Sequence, residues 1–319
     1  MRRECPGELR SLGRFLALVV LLVTASLSAQ AQELEPRAYR TLPTGFNFVV
    51  LSYSYSTGNV VADATSSVQD LSLDANIAGF GYLRSLGIFG RSASVTLQVP
   101  YVFLSGTALL DGEPVSGTRT GTADARLRLA VNLLGGPALA PAEFARYRQR
   151  RNLGVSLTVS APSGEYESFQ RVNLGANRWG LKPEVGYSSV RGRWILEAAA
   201  GIWFFTTNDE FFGGTTLRQD PIAGLQAHVS YNVNRRVWLA VDGNWFAGGR
   251  TSVSGTELST WQRNSRFGLT LSVALARGQS LKLAAHSGVF TRAGAEFDLA
   301  SIAYQFGWGA GLRPAKTRP

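Results

Sequence analysis

The stretch Phe267-Gly268-Leu269-Thr270-Leu271-Ser272-Val273-Ala274-Leu275 is large and apolar at every odd position and small or polar at every even one. A period of two places these two sets on opposite faces of a β-strand. The pattern recurs along the chain. Leu153, Val155, Leu157 and Val159 alternate with Gly154, Ser156, Thr158 and Ser160, and Leu127, Leu129, Val131 and Leu133 alternate with Arg126, Arg128, Ala130 and Asn132. Leu281, Leu283 and Val289 stand opposite Lys282, Ala284, His286 and Gly288. Segments of this kind predict about 12 strands, near 45–56, 68–84, 91–104, 120–133, 152–161, 178–189, 193–206, 218–232, 237–247, 261–275, 280–290 and 297–308. Their length meets the ~9–11 residues that a tilted strand needs to cross a membrane.

The connections alternate in length. Arg191-Gly192, Asn234-Arg235 and Arg277-Gly278 are tight turns and 85–90 is short, whereas 105–119, 162–177, 207–217, 248–260 and 291–296 are longer and rich in Gly, Ser, Thr and Asp. Short turns on one side and long loops on the other describe an all-β fold, an antiparallel transmembrane barrel with short periplasmic turns, longer extracellular loops and both ends periplasmic. Only closure lets strands cross lipid without unpaired backbone groups. The exception on the periplasmic side is 134–151, where Pro141-Ala142-Glu143-Phe144 opens a short helix with proline and an acid in its first turn. This insert is expected to be a periplasmic plug or an interfacial helix. Tyr101, Phe103, Trp179, Trp194, Trp203 to Phe205, Trp245, Phe246, Trp261, Tyr304, Phe306 and Trp308 fall near strand ends, where interfacial girdles belong. A secreted soluble sandwich or lipocalin-like barrel is the alternative fold.

Arg2, Arg3, Arg10 and Arg14 precede an apolar run from Phe15 to Leu27, followed by Ala29-Gln30-Ala31. That order reads as a signal peptide over 1–31, cleaved after Ala31, and hence as export to the bacterial outer membrane. Residues 32–44 are expected to be a periplasmic segment, 45–308 the barrel and 309–319 a tail. Cleavage removes Cys5 and Met1, the chain's single Cys and single Met, and leaves 28 basic against 20 acidic residues. The basic residues form no block, so nucleic acid is not an expected partner. One cysteine and two histidines point to no metal and no cofactor.

If the apolar face meets lipid, the other face lines a lumen. It is expected to carry Asp74, Asp124, Arg126, Arg128, Lys182, Glu184, Glu197, Arg266 and Lys282, with Gln226, His228, Asp242, Asn244 and His286. Asp124, Arg126, Arg128, Lys182, Glu184, Glu197, Arg266 and Lys282 are the candidate selectivity residues; pairing across neighbouring strands is the plainer role for them. Trp203 and Phe205 share one face and Phe204 the other, so one aromatic set points inward, where it would contact a flat apolar solute. Both histidines read as inward and neither has an evident serine partner at the outer rim, so no enzyme is expected.

Several motifs point to a known family. Val99-Pro100-Tyr101-Val102, the run Gly117 to Arg126, Ala161-Pro162-Ser163-Gly164-Glu165-Tyr166, Asn177-Arg178-Trp179 with Lys182-Pro183-Glu184, and Asn208-Asp209 before Phe211-Phe212-Gly213-Gly214 are five of them. Gln219-Asp220-Pro221, Gly248-Gly249-Arg250-Thr251 and Asn264-Ser265-Arg266 complete the set. With these the chain resembles the outer-membrane family associated with the meta-cleavage pathway of phenol degradation, over most of 45–308. The resemblance implies a barrel that passes aromatic or other hydrophobic compounds, and implies no catalytic or binding residue. The expected function is passive uptake of small solutes through the barrel. A structural or surface-binding barrel with a filled lumen and an envelope-lipid-modifying barrel enzyme are the alternatives. Expected partners are outer-membrane lipids including lipopolysaccharide, facing the loop arginines Arg119, Arg171, Arg178, Arg218, Arg250, Arg263 and Arg292, the barrel-insertion machinery that reads the terminal strand, and the solute.

Overall fold

A computed structural model describes residues 35–61, 68–110, 112–170 and 172–309. The expected leader 1–31 with its cleavage site, and the expected tail from 310, lie outside them. Among the described residues seventeen strands follow in order. They are β1 (Asn47–Val61), β2 (Val68–Ile88), β3 (Arg91–Leu110), β4 (Glu113–Thr122), β5 (Arg126–Leu134), β6 (Arg151–Ser160), β7 (Gly180–Arg191), β8 (Trp194–Phe205) and β9 (Asn208–Phe211). Then come β10 (Thr215–Gln219), β11 (Ile222–Asn232), β12 (Val237–Gly248), β13 (Thr251–Val253), β14 (Thr256–Glu257), β15 (Gln262–Ala276), β16 (Gln279–Thr291) and β17 (Gly294–Trp308). One short helix, α1 (Pro141–Phe144), separates β5 from β6.

Each long strand pairs antiparallel with its neighbours, and β1 pairs with both β2 and β17, so first and last strands close a 12-strand barrel. β4 and β5 share one place in the wall. On the inner half β5 bridges β3 to β6; on the outer half β4 pairs with β3, and residues 161–179 take the place of continued β6 and β7 strands.

Alternation decides which face meets lipid. Along β12, Leu239 and Val241 are 46% and 47% exposed, while Ala240 and Asp242 are 3% and 1% exposed. The same inversion holds for Phe267 and Leu269 against Thr270 and Ser272 on β15, and for Val155 and Leu157 against Ser156 and Thr158 on β6. Apolar side chains face outward and polar ones are buried, the reverse of a soluble barrel. Phe48-Val49-Val50-Leu51 is apolar at four positions in a row, and here Phe48 turns inward and meets Phe46, with ring centroids 6.3 Å apart. On the side of the barrel termini the β2–β3 turn is closed by Phe89 and Gly90, both at positive φ (48° and 72°), the primed geometry that suits a two-residue hairpin.

Four differences from the expected layout stand out. The strand expected over 120–133 is broken at 123–125. The loop expected over 105–119 is a hairpin, because β3 and β4 run on beyond the rim. The loops around 207–217 and 248–260 contain β9, β10, β13 and β14, which form a four-stranded sheet over the extracellular end. Its core is Phe211, Leu217 and Val253, with Ala176, Phe212 and Leu258 packed against them. Residues 35–44 do not hang below the barrel; they lie against its inner wall.

Candidate functional site

The inner wall carries three structures: a chain segment seated in it, a polar belt, and an aromatic recess.

The segment is 35–46. The Tyr39 ring sits over Gly154 of β6 and Gly186 of β7, which are direct register partners. A Cβ on Gly154 would lie 2.4 Å from the ring, and one on Gly186 2.0 Å from it, so this pair of glycines forms a notch that the ring fills. The Tyr39 hydroxyl donates to Glu184 Oε1 at 2.9 Å and lies 3.1 Å from Ser156 Oγ. The Arg37 amide donates to Glu197 Oε2 at 2.8 Å, and its guanidinium donates to Asn232 Oδ1 at 3.0 Å and stacks 4.0 Å from the Trp238 ring centre. Asn152 donates to the Tyr39 carbonyl and to Thr41 Oγ1, and Lys282 holds Glu35 at 2.8 Å. From below, Gln149 accepts from the Thr41 amide and Leu139 from that of Thr44. The 134–151 insert therefore buttresses the plug and does not form it. Its helix is capped as expected, Glu143 accepting the Ala140 amide at 3.0 Å, and Phe144 and Tyr147 share a face.

The polar belt follows the register Ser188, Glu197, His228, Asp242 across β7, β8, β11 and β12. His228 Nδ1 lies 2.8 Å from Asp242 Oδ1, and the Thr270 hydroxyl donates to Asp242 Oδ2 at 2.6 Å. Asp242 stands between His228 and Thr270, so the hydroxyl donates to the carboxylate and not to the imidazole; a nucleophile-and-base pair needs the opposite order.

The recess lies further out. Trp203, Ile222 and Phe246 form a buried apolar cluster with Phe205 packed against it. Trp203 and Phe205 stack at 6.1 Å with planes 8° apart. Lys182 Nζ is 5.5 Å from the Trp203 ring, and Arg178 is 4.5 Å from that of Phe205. Trp203 and Phe246 are thus lumen residues and not part of a girdle, while Phe204, Trp245 and Trp179 face outward, 41–49% exposed. At the other rim Tyr82, Phe306 and Trp308 cluster, as do Trp194 and Tyr231.

Among the expected selectivity residues, Arg128, Lys182 and Glu184 come together. Glu184 is held at 3.1 Å by Lys182 and 3.6 Å by Arg128, which also lies 4.9 Å from the Tyr39 ring. Glu197 and Lys282 hold the plug. Arg266 is buried beside Asn244 in register. Arg126 stands inward, level with Gln98 and Ser160. Asp124 has another place: in the break between β4 and β5 its carboxylate accepts the amides of Gly164 at 3.0 Å and Ala176 at 2.9 Å, tying down both ends of the 161–179 loop. There Gly164 and Gly175 pack too closely for either to carry a side chain. Arg178, close to Asp124, donates to Gln219; burial pulls its pKa down to about 10, with the Asp124 charge opposing. Asp74 is on the outer face, not the lumen, where the Tyr55 hydroxyl donates to it at 2.9 Å. Among the described residues no group of three or more His, Cys, Asp and Glu is placed to hold a metal.

A closed antiparallel wall, apolar outside and polar within, is that of an outer-membrane-type β-barrel. The chain belongs to the family described as "Putative MetA-pathway of phenol degradation", whose model matches residues 54–313. It is similar in fold to an outer membrane channel of Pseudomonas putida F1, at 21% identity and TM-score 0.75, over 86% of this chain and 100% of that one. It is also similar to the transport unit of the autotransporter AIDA-I of Escherichia coli, at 10% identity and TM-score 0.51, over 91% of this chain and 98% of that one. A search of curated proteins finds no match in sequence.

Proposed function

We propose that this protein is an outer-membrane channel for passive passage of small solutes, aromatic compounds among them, exported by cleavage after Ala31. The observation that carries the reading is the mode of attachment of 35–46. Residues 35–43 fill part of a polar lumen, yet they are held by side-chain contacts and not by strand pairing; backbone bonds to Leu139 and Ser85 begin only at Thr44 to Phe46, so the part inside the lumen can leave or shift without dismantling the wall. The continuous apolar outer surface supports residence in lipid. Arg218 and Arg263, exposed at the outer loops, are available to lipopolysaccharide, whereas Arg119 and Arg250 are engaged by Glu167 and Glu257. Both histidines turn inward, His228 onto Asp242 and His286 toward Gly268, away from the lipid face where a lipid-modifying enzyme would need its base, which argues for a channel over a lipid-modifying barrel. Conductance of the refolded chain from residue 32, in planar bilayers under a potassium chloride gradient, tests the reading. Discrete steps that widen when residues 32–44 are deleted are expected. A folded barrel that stays non-conducting after the deletion would refute it and leave a structural role.

A further inference from the structure

The end of the wall that holds the barrel termini carries cations of one kind. Arg151 opens β6, Arg191 ends β7, and Arg193 lies in the turn to β8. Arg235 and Arg236 lie in the turn from β11 to β12, and Arg277 in the turn from β15 to β16. All six are exposed. The strands they flank are seven consecutive members of the 12-strand wall, in the order β6, β7, β8, β11, β12, β15, β16, so the arginines trace one arc around more than half of its circumference. The stretches that hold them, 150–153, 189–195, 231–238 and 275–281, contain no Asp or Glu. Among the described residues none of the six forms an ion pair. The loops at the other end mix signs: Arg119 meets Glu167, Arg250 meets Glu257, and Glu113, Glu165, Asp209 and Glu210 are exposed there as well. An arc of like charge repels itself unless an anion covers it.

The arc lies at headgroup depth. Arg151 and Arg191 stand in the outward register of β6 and β7, in line with Val155 and Leu157 on the one and with Val185 and Tyr187 on the other. Arg191 pairs in register with Trp194, whose ring lies 4.6 Å from that of Tyr231. Outward Trp and Tyr mark the boundary of membrane and water. Guanidinium groups just beyond them stand where the phosphates of the surrounding lipid lie. Every cation of the arc is arginine, whereas the described lysines, Lys182 and Lys282, are both in the lumen. A guanidinium meets a phosphate through two parallel N–H bonds, which an ammonium does not. A compact soluble partner would touch one patch, while an arc that follows the wall around fits lipid, which does the same. We propose that this arc binds anionic phospholipid of the inner leaflet through its headgroup phosphate, phosphatidylglycerol being the simplest such lipid. The inference rests on residence in the outer membrane with both barrel ends periplasmic, and not on conduction.

The test reconstitutes the chain from residue 32 in phosphatidylcholine vesicles. Electron paramagnetic resonance then compares how much spin-labelled phosphatidylglycerol and spin-labelled phosphatidylcholine the barrel immobilises. The arc predicts a preference for phosphatidylglycerol of about fivefold at low salt, the effect of one basic residue per lipid, declining as salt screens the charges. Replacing Arg151, Arg191, Arg193, Arg235, Arg236 and Arg277 together by glutamine should bring the preference below about twofold. Arg235→Gln, Arg236→Gln and Arg277→Gln alone, which touch only turns, should lower it by about half and serve as the check on the larger variant. Arg218→Gln with Arg263→Gln, exposed at the other end, should leave it unchanged. Heat-modifiable migration shows that each barrel is folded. A parent preference below about twofold, or one that both arc variants keep, overturns the proposal. Poly-glutamate that binds the parent in detergent and not the six-residue variant, beside an unchanged lipid preference, would overturn it in favour of an acidic protein on the arc.

Discussion

Adding one methyl group at Gly186 should open the barrel. The Cβ of Gly186→Ala would stand 2.0 Å from Tyr39 Cε2 and 2.7 Å from Cζ, where ordinary contact begins at 3.4 Å, so the ring must retreat by more than an ångström. Full eviction would forfeit the burial of an aromatic side chain, ~4–6 kcal/mol at ~25 cal/mol per Å². The bond to Glu184 adds ~1.5–3 kcal/mol. Loss of even ~2–3 kcal/mol moves the ratio of seated to released segment roughly 30- to 150-fold. The wall itself should not suffer, because alanine is preferred to glycine inside a strand by about 0.5–1 kcal/mol. The assay pairs bilayer conductance with thiol labelling. Thr41, 1% exposed in the seated segment, is replaced by cysteine in the chain from residue 32, which has no other thiol. Gly186→Ala should raise both the labelling rate and the open probability, while heat-modifiable migration stays that of a folded barrel. Tyr39→Ala vacates the notch without adding an atom and should act in the same direction. If both variants label and conduct like the parent, Tyr39 does not hold the segment and the reasoning fails.

Two further outcomes follow from buried carboxylates. Asp124→Ala removes the acceptor of the Gly164 and Ala176 amides; a local loss of ~1.5–3 kcal/mol is expected. Trypsin should then cut within 161–179 several-fold faster in an otherwise folded barrel, and an unchanged digestion rate would deny the tether. His228→Ala leaves Asp242, 1% exposed, with Thr270 but without its imidazole partner. The urea midpoint of unfolding should fall by the equivalent of ~1.5–3 kcal/mol, and no shift would mean that the contact adds nothing to the wall.

Strands were legible because alternation is local: nine residues from Phe267 to Leu275 suffice to tell two faces apart, and the inverted burial of Leu239 and Asp242 repeats what the letters show. The inward aromatics were half legible. The odd positions Trp203 and Phe205 had to share a face, but which face they take depends on how β8 pairs with β11, where Ile222 meets Trp203. The plug was not legible at all. Glu35-Pro36-Arg37-Ala38-Tyr39-Arg40 has no period, and nothing in those six residues says that they fold back into a lumen. The information for their seat lies elsewhere, in Gly154 and Gly186, 32 positions apart, and becomes a notch only when the register of β6 on β7 sets them side by side. That register is closed by a loop of 19 residues, 161–179, pinned by Asp124 from a third strand position. A glycine facing the lumen has no side chain to reveal its direction, so it is the residue whose role depends most on register and shows least in sequence. In this barrel the register-matched pair Gly154 and Gly186 is where the wall receives a ring from the chain itself.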